Sequence, residues 1–258
     1  MWVIRVGTSG FSYEDWIGPV YPNGLAKSDQ LGFYAREFTT VEINSTFYRV
    51  PDERMVEGWI RKTPADFLFS IKAYQGLTHE RKNPDFAQFA RAMRPLVESG
   101  KLGCVLAQFP NSFHASIPNR EFLRGLRNGL SELPVVVEFR NAEWVTEATL
   151  ELLRRLDFGF CCVDEPRLPG LMPPVAAVTG PVAYMRFHGR NSAKWYNHTE
   201  AWERYDYTYS ADELREWIPK LRRLDASAPL TLVYFNNHFV GQAVRGAREL
   251  RQLLLESE

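Results

Sequence analysis

The sequence predicts an α/β fold, a TIM (β/α)8 barrel of eight parallel strands, and three observations lead to it. Eight short apolar runs of strand length alternate with about seven amphipathic helical segments. The connections between successive runs are long enough for crossovers between parallel strands. A length of 258 residues suits one such barrel, so residues 1–258 are expected to form a single domain. A doubly wound open sheet is the alternative, but Gly7-Thr8-Ser9-Gly10 is not the glycine-rich phosphate loop that such sheets usually carry.

The strands and helices can be assigned in order along the chain. Apolar runs ending at glycine, proline or polar residues predict strands at 4–8, 40–46, 67–72, 102–109, 134–140, 159–164, 182–188 and 230–236. Helical spacing of apolar residues predicts helices at 28–38, 54–62, 83–99, 119–130, 147–156, 211–224 and 241–255. Residues 165–181 contain five prolines, so the helix after strand six is expected to be weak or missing. A long aromatic loop, residues 189–209, follows strand seven and exceeds the usual connection length, which favours a lid or binding loop.

Composition and charge exclude several classes of protein. Lysine plus arginine equals aspartate plus glutamate at 31 each, so no global field attracts nucleic acid or an anionic membrane. The N-terminus lacks a signal-peptide pattern and no run of 18 apolar residues occurs, so a cytoplasmic protein without membrane contact is expected. Cys104, Cys161 and Cys162 lie in apolar strand-like runs without metal-ligand spacing and are interpreted as core thiols. The sequence thus predicts no metal site and no cofactor.

The fifth strand indicates where a functional site would lie. Glu138 and Arg140 share one face of that strand, opposite the apolar Val135, Val137 and Phe139. A strand that is apolar on both faces until its C-terminal end is typical of a parallel sheet with a site at its carboxyl edge. Catalytic residues of TIM barrels lie at this end of the strands.

The same alternation, applied to all eight strands, predicts a polar set facing the barrel interior. In strand six it assigns Cys161 and Val163 outward, towards the helices, and Asp164 inward. The predicted interior set is Arg5, Glu42, Asn44, Ser70, Lys72, Gln108, Glu138, Arg140, Asp164, Arg186, His188, Tyr234 and Asn236. Its four cations exceed its three carboxylates by one positive charge, which an anionic ligand would balance. A solvated rim or an internal salt-bridge network is the structural alternative, although buried ion pairs are a poor source of stability.

Roles within this set follow from side-chain chemistry. Candidate catalytic residues are Glu42, Glu138 and Asp164 as general acids or bases, and His188 as a proton shuttle near neutral pH. Lys72, Arg140 and Arg186 could hold phosphate or carboxylate. The other candidate ligand-binding residues in or beside the strands are amides: Asn44, Gln108, Asn236 and Asn237. Because these groups would interact, their titrations are coupled and single roles stay open.

Aromatic residues follow the C-terminal ends of several strands. Tyr13, Trp16, Tyr48 and Trp144 are the members interpreted as ligand-binding. Such residues could stack on a sugar or a base, but aromatic side chains also pack long loops onto a barrel. Both interpretations remain open at this point.

Seven motifs in one order resemble the YecE-like family, domain of unknown function 72, over essentially the whole chain. They are Gly7-Thr-Ser-Gly-Phe-Ser-Tyr with Trp16 and Tyr21-Pro22, Val41-Glu-Ile-Asn-Ser-Thr-Phe-Tyr48 with Pro51, Phe69-Ser-Ile-Lys-Ala73, Gln108-Phe-Pro, Val137-Glu-Phe-Arg140 with Trp144, Arg186-Phe-His-Gly189 and Tyr234-Phe-Asn-Asn237. The resemblance implies a TIM barrel but no settled activity. Its motif positions fall on Glu42, Asn44, Lys72, Gln108, Glu138, Arg140, His188, Asn236 and Asn237.

Four functions are compatible with these residues. The favoured one is an enzyme, a hydrolase or a lyase/isomerase, that acts without metal on a small anionic molecule at the barrel mouth by acid/base chemistry. A metal-dependent phosphodiesterase or nucleic-acid-binding protein is less favoured, since only His188 among the histidines falls on a strand and the overall charge is balanced. A glycoside hydrolase would need a carboxylate pair such as Glu42 with Glu138. A non-catalytic binding protein is the fourth, and the oligomeric state stays open.

Overall fold

The computed structural model describes residues 4–82 and 84–256 and forms a barrel of eight parallel strands. The strands are β1 (Ile4–Thr8), β2 (Thr40–Ile43), β3 (Leu68–Lys72), β4 (Leu102–Gln108), β5 (Val135–Glu138), β6 (Phe158–Asp164), β7 (Val182–Phe187) and β8 (Leu230–Phe235). Each strand pairs with its neighbours in the order β1-β8-β7-β6-β5-β4-β3-β2. The TIM barrel predicted from the strand count is therefore confirmed, and the strand ends differ from the predicted ones by at most three residues.

Helices cover the outside of the strands. They are α1 (Gln30–Tyr34), α2 (Glu53–Arg61), α3 (Phe86–Glu98), α4 (Ile117–Gly129), α5 (Glu147–Arg155), α6 (Ala211–Arg215), α7 (Ile218–Asp225) and α8 (Gln242–Glu256). As expected, residues 165–181 contain no helix. The helix start expected at Asn83 lies outside the described residues, and α3 begins after Asp85, whose carboxylate accepts a hydrogen bond from the Gln88 N–H at 2.7 Å.

Two helices differ from the sequence prediction. The single helix expected over 211–224 is divided into α6 and α7, because Pro219 has no N–H and its ring conflicts with the preceding turn. The helix expected over 28–38 is reduced to α1, which follows a 3₁₀ turn at Lys27–Asp29.

The barrel closes between β1 and β2 with few hydrogen bonds. Within the described chain these two strands meet through an isolated bridge between Ser9 and Glu42, where the Gly10 N–H donates to the Glu42 carbonyl at 2.7 Å. A Cβ on Gly7 would lie 2.3 Å from the carbonyl oxygen of Thr40. Glycine at this position therefore lets β1 approach β2 closely enough to close the barrel.

The predicted alternation is correct for most strands and wrong for β6. The Cys161 thiol faces the interior, with Sγ 3.9 Å from Oε2 of Glu138, whereas Asp164 points outward to Trp217 on the helical side. Because six of the seven side chains of β6 are apolar or glycine, hydrophobicity did not distinguish its two faces, and the one charged residue misled the assignment. Pairing fixes the correct register, since Val163 aligns with the inward Arg186.

Arg5 faces inward but lies at the opposite end of the barrel from the mouth. Its guanidinium donates to the Asp66 carbonyl at 2.7 Å, near the start of β3. It therefore does not belong to the predicted site. None of the helices in the described part of the chain is both long and apolar enough to cross a membrane.

Candidate functional site

A cavity of about 670 Å³ opens at the C-terminal ends of the strands. This volume is in the range of small-molecule pockets. Its floor contains polar and charged side chains from β3, β4, β7 and the segments that follow β2, β5 and β8, and its wall is largely aromatic. The lining residues are Gly10, Phe11, Ser12, Tyr13, Lys27, Ile43, Asn44, Ser45, Phe47, Tyr48, Lys72, Gln108, Arg140, Arg186, Tyr205, Asn236 and His238.

Arg186 is the centre of the polar network beneath this cavity. Its Nη1 donates to Oε2 of Glu138 at 2.6 Å, and its Nη2 donates to Oε1 of Glu42 at 2.7 Å. Nη2 also lies 3.1 Å from Oδ1 of Asn236. The two carboxylates are fully buried and the arginine side chain is 1% exposed. One guanidinium from β7 thus joins β2, β5 and the end of β8.

The remaining carboxylate oxygens are also occupied. Oε2 of Glu42 accepts a hydrogen bond from the Tyr184 hydroxyl at 2.7 Å. Oε1 of Glu138 lies 2.7 Å from Nε of Arg140 and 3.2 Å from Nε2 of His188. Although burial opposes ionisation of Glu138, the neighbouring cations hold its pKa well below the ordinary value. Glu138 is therefore an anion with fixed partners and is a poor general base.

The hydrogen bonds assign the tautomer of His188. An arginine can only donate, so Oδ1 of Asn236 accepts from Arg186 and the amide Nδ2 faces Nδ1 of His188 at 3.1 Å. Nδ1 must then be the acceptor, and the proton lies on Nε2, directed at Glu138. Burial, together with Arg140 and Arg186, lowers the pKa of His188 to about 3. This shift favours the neutral form of His188 near pH 7, and its role as a proton shuttle stays a prediction.

Lys72 differs from these groups because no carboxylate neutralises it at close range. The ammonium lies over the ring of Phe47, 4.5 Å from its centroid, and no carboxylate among the described residues approaches it within 4.0 Å. Burial is the main cause that lowers its pKa to about 8, and Arg186 and Arg140 add to the effect. Lys72 is thus a cavity-lining group whose proton equilibrium lies close to neutral pH.

Glu165 supports Arg140 from behind the cavity. Its Oε2 lies 3.5 Å from Nη1 of Arg140, and its Oε1 accepts a hydrogen bond from the Met172 N–H at 2.8 Å. Burial raises the pKa of Glu165 to about 7 despite the nearby arginine. This carboxylate directly follows β6 and was not among the residues predicted from the sequence.

Most of the predicted site residues come together at the mouth. Eight of the predicted ligand-binding residues line the cavity: Tyr13, Asn44, Tyr48, Lys72, Gln108, Arg140, Arg186 and Asn236. The predicted catalytic residues Glu42, Glu138 and His188 are buried directly beneath it. With Arg5 and Asp164 removed, the predicted cations Lys72, Arg140 and Arg186 line the cavity, whereas Glu42, Glu138 and the unpredicted Glu165 are buried behind it.

Asp164 does not belong to this group. Its carboxylate forms a bidentate pair with Arg190 at 2.8 Å and accepts hydrogen bonds from Tyr209 at 2.8 Å and Trp217 at 2.7 Å. These partners lie on the loop after β7 and on the helical layer. Asp164 thus fixes that loop to the outside of β6, and the expectation that it faces the interior is wrong.

Three further predicted ligand-binding residues lie away from the cavity. Trp144 is fully buried against Phe139, with ring centroids 4.3 Å apart, on the outer face of β5. The Trp16 indole is buried behind Tyr13 and donates to the His238 carbonyl at 2.7 Å. Asn237 is buried and donates to the Tyr207 carbonyl at 2.7 Å. For the two tryptophans the contacts agree with the packing interpretation, and Asn237 instead contacts the loop after β7.

Several residues of the site were not among the predicted catalytic or ligand-binding residues. Tyr184 precedes Arg186 by two positions on the same strand face, so the alternation could have identified it. Tyr205 comes from the long loop that was predicted to be a lid or binding loop. Lys27 and His238 also line the cavity, and no sequence signal distinguishes them from ordinary loop residues.

Four lining residues have a buried polar atom without a hydrogen-bond partner among the described residues. These atoms are Oδ1 of Asn44, Nδ1 of His238 and Nε of both Arg140 and Arg186. The His238 ring also stacks on Tyr13, with centroids 4.4 Å apart. Across residues 4–82 and 84–256, no three side chains of histidine, cysteine, aspartate or glutamate converge in an arrangement that could hold a metal ion.

Two known proteins are similar to this chain over different shares of its length. UPF0759 protein YunF from Bacillus subtilis is 32% identical, and the alignment covers 98% of this chain and 95% of that protein. UPF0759 protein YecE from Escherichia coli is 29% identical over 43% of this chain and 39% of its own length.

Solved structures give the same result. A DUF72 family protein from Thermotoga maritima is 42% identical, with a TM-score of 0.90 over 98% of this chain and 99% of its own. A DUF72 family protein from Enterococcus faecalis is 28% identical, with a TM-score of 0.87 over 98% and 96% of the two chains. The family model described as "Protein of unknown function DUF72" matches residues 5–258. The chain therefore belongs to the DUF72 family.

Proposed function

We propose that the cavity binds a small anionic molecule, bearing a phosphate or a carboxylate, and that the protein acts on it by acid/base chemistry. One observation carries the proposal: among the described residues four cations and no carboxylate line the cavity, while the carboxylates behind it are already paired. Lys27, Lys72, Arg140 and Arg186 are the lining cations, and their positive charge is directed towards a ligand. Arginine offers bidentate geometry to phosphate and carboxylate, and lysine a compact charge.

In this proposal the proton-transfer group is Lys72 and not one of the buried carboxylates. Both oxygens of Glu138 and both oxygens of Glu42 have protein partners. The pKa of Lys72 is about 8, which lies near the range where a general acid or base is most effective at neutral pH. Glu42, Glu138 and His188 act as positioning residues that hold the arginines.

Unpartnered atoms of the lining residues supply further ligand contacts. Oδ1 of Asn44 would accept a hydrogen bond from a ligand hydroxyl, and Nδ1 of His238 would form a second hydrogen bond to the ligand. The aromatic wall, which includes Tyr13 and Tyr205, encloses the part of the ligand away from the charge.

Glycoside hydrolysis is less well supported by the same contacts. It requires a carboxylic acid whose pKa is raised so that it can protonate the leaving group. Glu138 has a lowered pKa and shares Arg186 with Glu42, whereas Glu165 has a raised pKa but is buried behind Arg140 and does not line the cavity. We also propose a cytoplasmic location, where the three unpaired, buried cysteines would stay reduced.

Binding of defined anions tests the first part of the proposal. Inorganic phosphate, pyruvate and phosphoglycolate are titrated by calorimetry against the wild type, Arg140→Met and the control Arg61→Met, whose exposed arginine lies on α2. Loss of a charge-assisted hydrogen bond predicts an affinity lower by about 10- to 100-fold in Arg140→Met. The control should bind as the wild type does. If none of the three anions binds, or if Arg140→Met binds them equally well, the anion site is refuted.

Proton transfer is tested by isotope exchange on a simple keto acid. Pyruvate is incubated with the protein in D₂O, and exchange of its methyl protons is followed by NMR. We expect exchange above the buffer rate with the wild type and Arg61→Met, and a return to the buffer rate with Lys72→Met. Equal exchange in Lys72→Met would refute the role of this amine.

A further inference from the structure

We infer that the Lys72 amine forms an imine with ligands that carry a carbonyl group next to a carboxylate or phosphate. This inference rests on the proposed anion site and names its substrate class. Lys72 ends β3, lines the cavity and shares it with Arg140 and Arg186. An anionic group held by the two arginines would bring the adjacent carbonyl carbon to the amine.

The surroundings of Lys72 favour a nucleophile over a fixed counter-ion. Its ammonium contacts the Phe47 ring, and the two carboxylates of the site are committed to other partners. Lysines become nucleophilic when they are desolvated or placed beside another cation. Both conditions hold here, and both contribute to the lowered pKa of about 8.

Lys101 provides the contrast within the same chain. It is also buried, but its Nζ donates to the carbonyls of Ile60 and Thr63 and to the Thr63 hydroxyl, at 2.9 to 3.0 Å. All three of its N–H bonds are used, so it stabilises the end of α2. Lys72 has no such set of acceptors within the described residues, which leaves its amine available to a ligand.

The chemical step is a condensation without change of oxidation state. The neutral amine attacks the carbonyl carbon, a C–N bond forms, and the carbonyl oxygen takes up a proton to give a carbinolamine. The C–O bond then breaks, water leaves, and the nitrogen loses its second proton to give the imine. Protonation of the imine nitrogen would make it an electron acceptor for the adjacent C–H bond, which connects this step to the proton exchange proposed above.

The neutral fraction of the amine sets the expected size of the effect. A lysine with a pKa near 8 has about 300 times more neutral amine at pH 7 than one at the ordinary value of about 10.5. We therefore expect Lys72 to react with a bound carbonyl compound at least about tenfold faster than an exposed lysine such as Lys194, whose side chain is 50% exposed.

Reductive trapping tests the inference. The full-length protein is incubated with pyruvate or with acetone, cyanoborohydride is added, and modified lysines are quantified by peptide mass spectrometry. We expect a reduced pyruvate adduct at Lys72, at least about tenfold above Lys101 and Lys194, which inorganic phosphate suppresses. Acetone, which has a carbonyl but no anion, should show no such preference. Lys72→Arg, which keeps the charge but lacks a primary amine, should give no adduct at position 72.

The outcomes separate this inference from the proposed function. Phosphate binding is measured on the same sample by calorimetry. If phosphate binds but the Lys72 adduct does not exceed that of Lys194, the imine is refuted and the anion site stands. If phosphate does not bind and no adduct forms, both are refuted. An adduct at Lys72 that phosphate does not suppress would also contradict the inference, because the arginines would then have no part in it.

Discussion

Replacement of Arg186 by methionine should destabilise the fold strongly at neutral pH and less at mildly acidic pH. The arginine side chain is 1% exposed and is paired with two carboxylates that are fully buried. Methionine fills similar space but leaves those carboxylates without their shared guanidinium. Removing one partner of a buried ion pair costs about 3–5 kcal/mol, so we expect a loss in this range at pH 7.

The pH dependence follows from the same contacts. In the wild type the pKa of Glu138 is lowered, so its contribution to stability is present above the unfolded value of about 4.3 and is lost as pH falls through the folded pKa. Without Arg186, Arg140 is the one arginine left to offset the burial of Glu138, so the pKa of Glu138 rises from its lowered value. The folded variant then takes up a proton as the pH falls, which is worth at most about 1.4 kcal/mol per pH unit. The difference from wild type should therefore shrink by about 1–2 kcal/mol between pH 7 and pH 5.

Urea unfolding followed by tryptophan fluorescence at pH 7 and pH 5 measures this difference. Arg155→Met is the matched control, because Arg155 pairs with Glu151 at the surface, with side chains 77% and 54% exposed. Its loss should stay below about 1 kcal/mol at both pH values. The free energy of unfolding should fall less in the double variant Arg186→Met with Glu138→Gln than the sum of the losses in the two single variants. A loss below about 1 kcal/mol for Arg186→Met at pH 7, or an equal loss at both pH values, would refute this account of the network.

Three further substitutions test the positions of residues outside the cavity. Asp164→Asn should lose about 3 kcal/mol in urea unfolding, because its pair with Arg190 is partly buried, while calorimetry should show phosphate affinity within about twofold of wild type. Trp144→Phe removes the hydrogen bond to the Phe113 carbonyl and should lower the free energy of unfolding by about 1–3 kcal/mol. Phosphate binding should stay unchanged, and weaker binding would contradict the position of the indole. Val240 has φ 47°, which a β-branched residue rarely adopts. Val240→Gly should therefore raise the free energy of unfolding by about 0.5–1 kcal/mol in urea unfolding, and a lower value would show that the strain is absent.

The sequence was sufficient to predict the barrel because segments with a strand pattern and segments with helical periodicity alternate along the chain. Strand runs such as residues 102–109 are apolar on both faces, and helices such as α4 have one apolar face and an N-cap, here Ser116. The division between α6 and α7 was not predicted, although Pro219 was a visible cause. Helical periodicity outweighed one proline in that interpretation.

Site residues on strands with a polar face were predicted best. In β5 and β7 the charged residues alternate with apolar ones, and Glu138 and Arg186 indeed face the interior. In β6 the alternation carries no such information, and Asp164 was assigned to the wrong face.

Loop residues were beyond the reach of the sequence pattern. Tyr205 and Trp144 both follow a strand within an aromatic segment, but one lines the cavity and the other packs against Phe139. Which of the two occurs depends on how the loop folds back onto the barrel, and this is decided by contacts distant in sequence.

The closure between β1 and β2 has a consequence for the dynamics of the barrel. The other neighbouring strand pairs are joined by ladders, whereas these two meet at a bridge that contains Glu42. Opening at this point breaks fewer backbone hydrogen bonds than separation of any ladder, so amide exchange should report it as a low-energy local opening. Arg186 holds the side chain of Glu42. An anion bound to the arginines would change the strength of the Arg186–Glu42 ion pair and with it the rate of that opening. Exchange at Gly10, measured with and without phosphate, would thus detect occupancy of the mouth from the backbone alone.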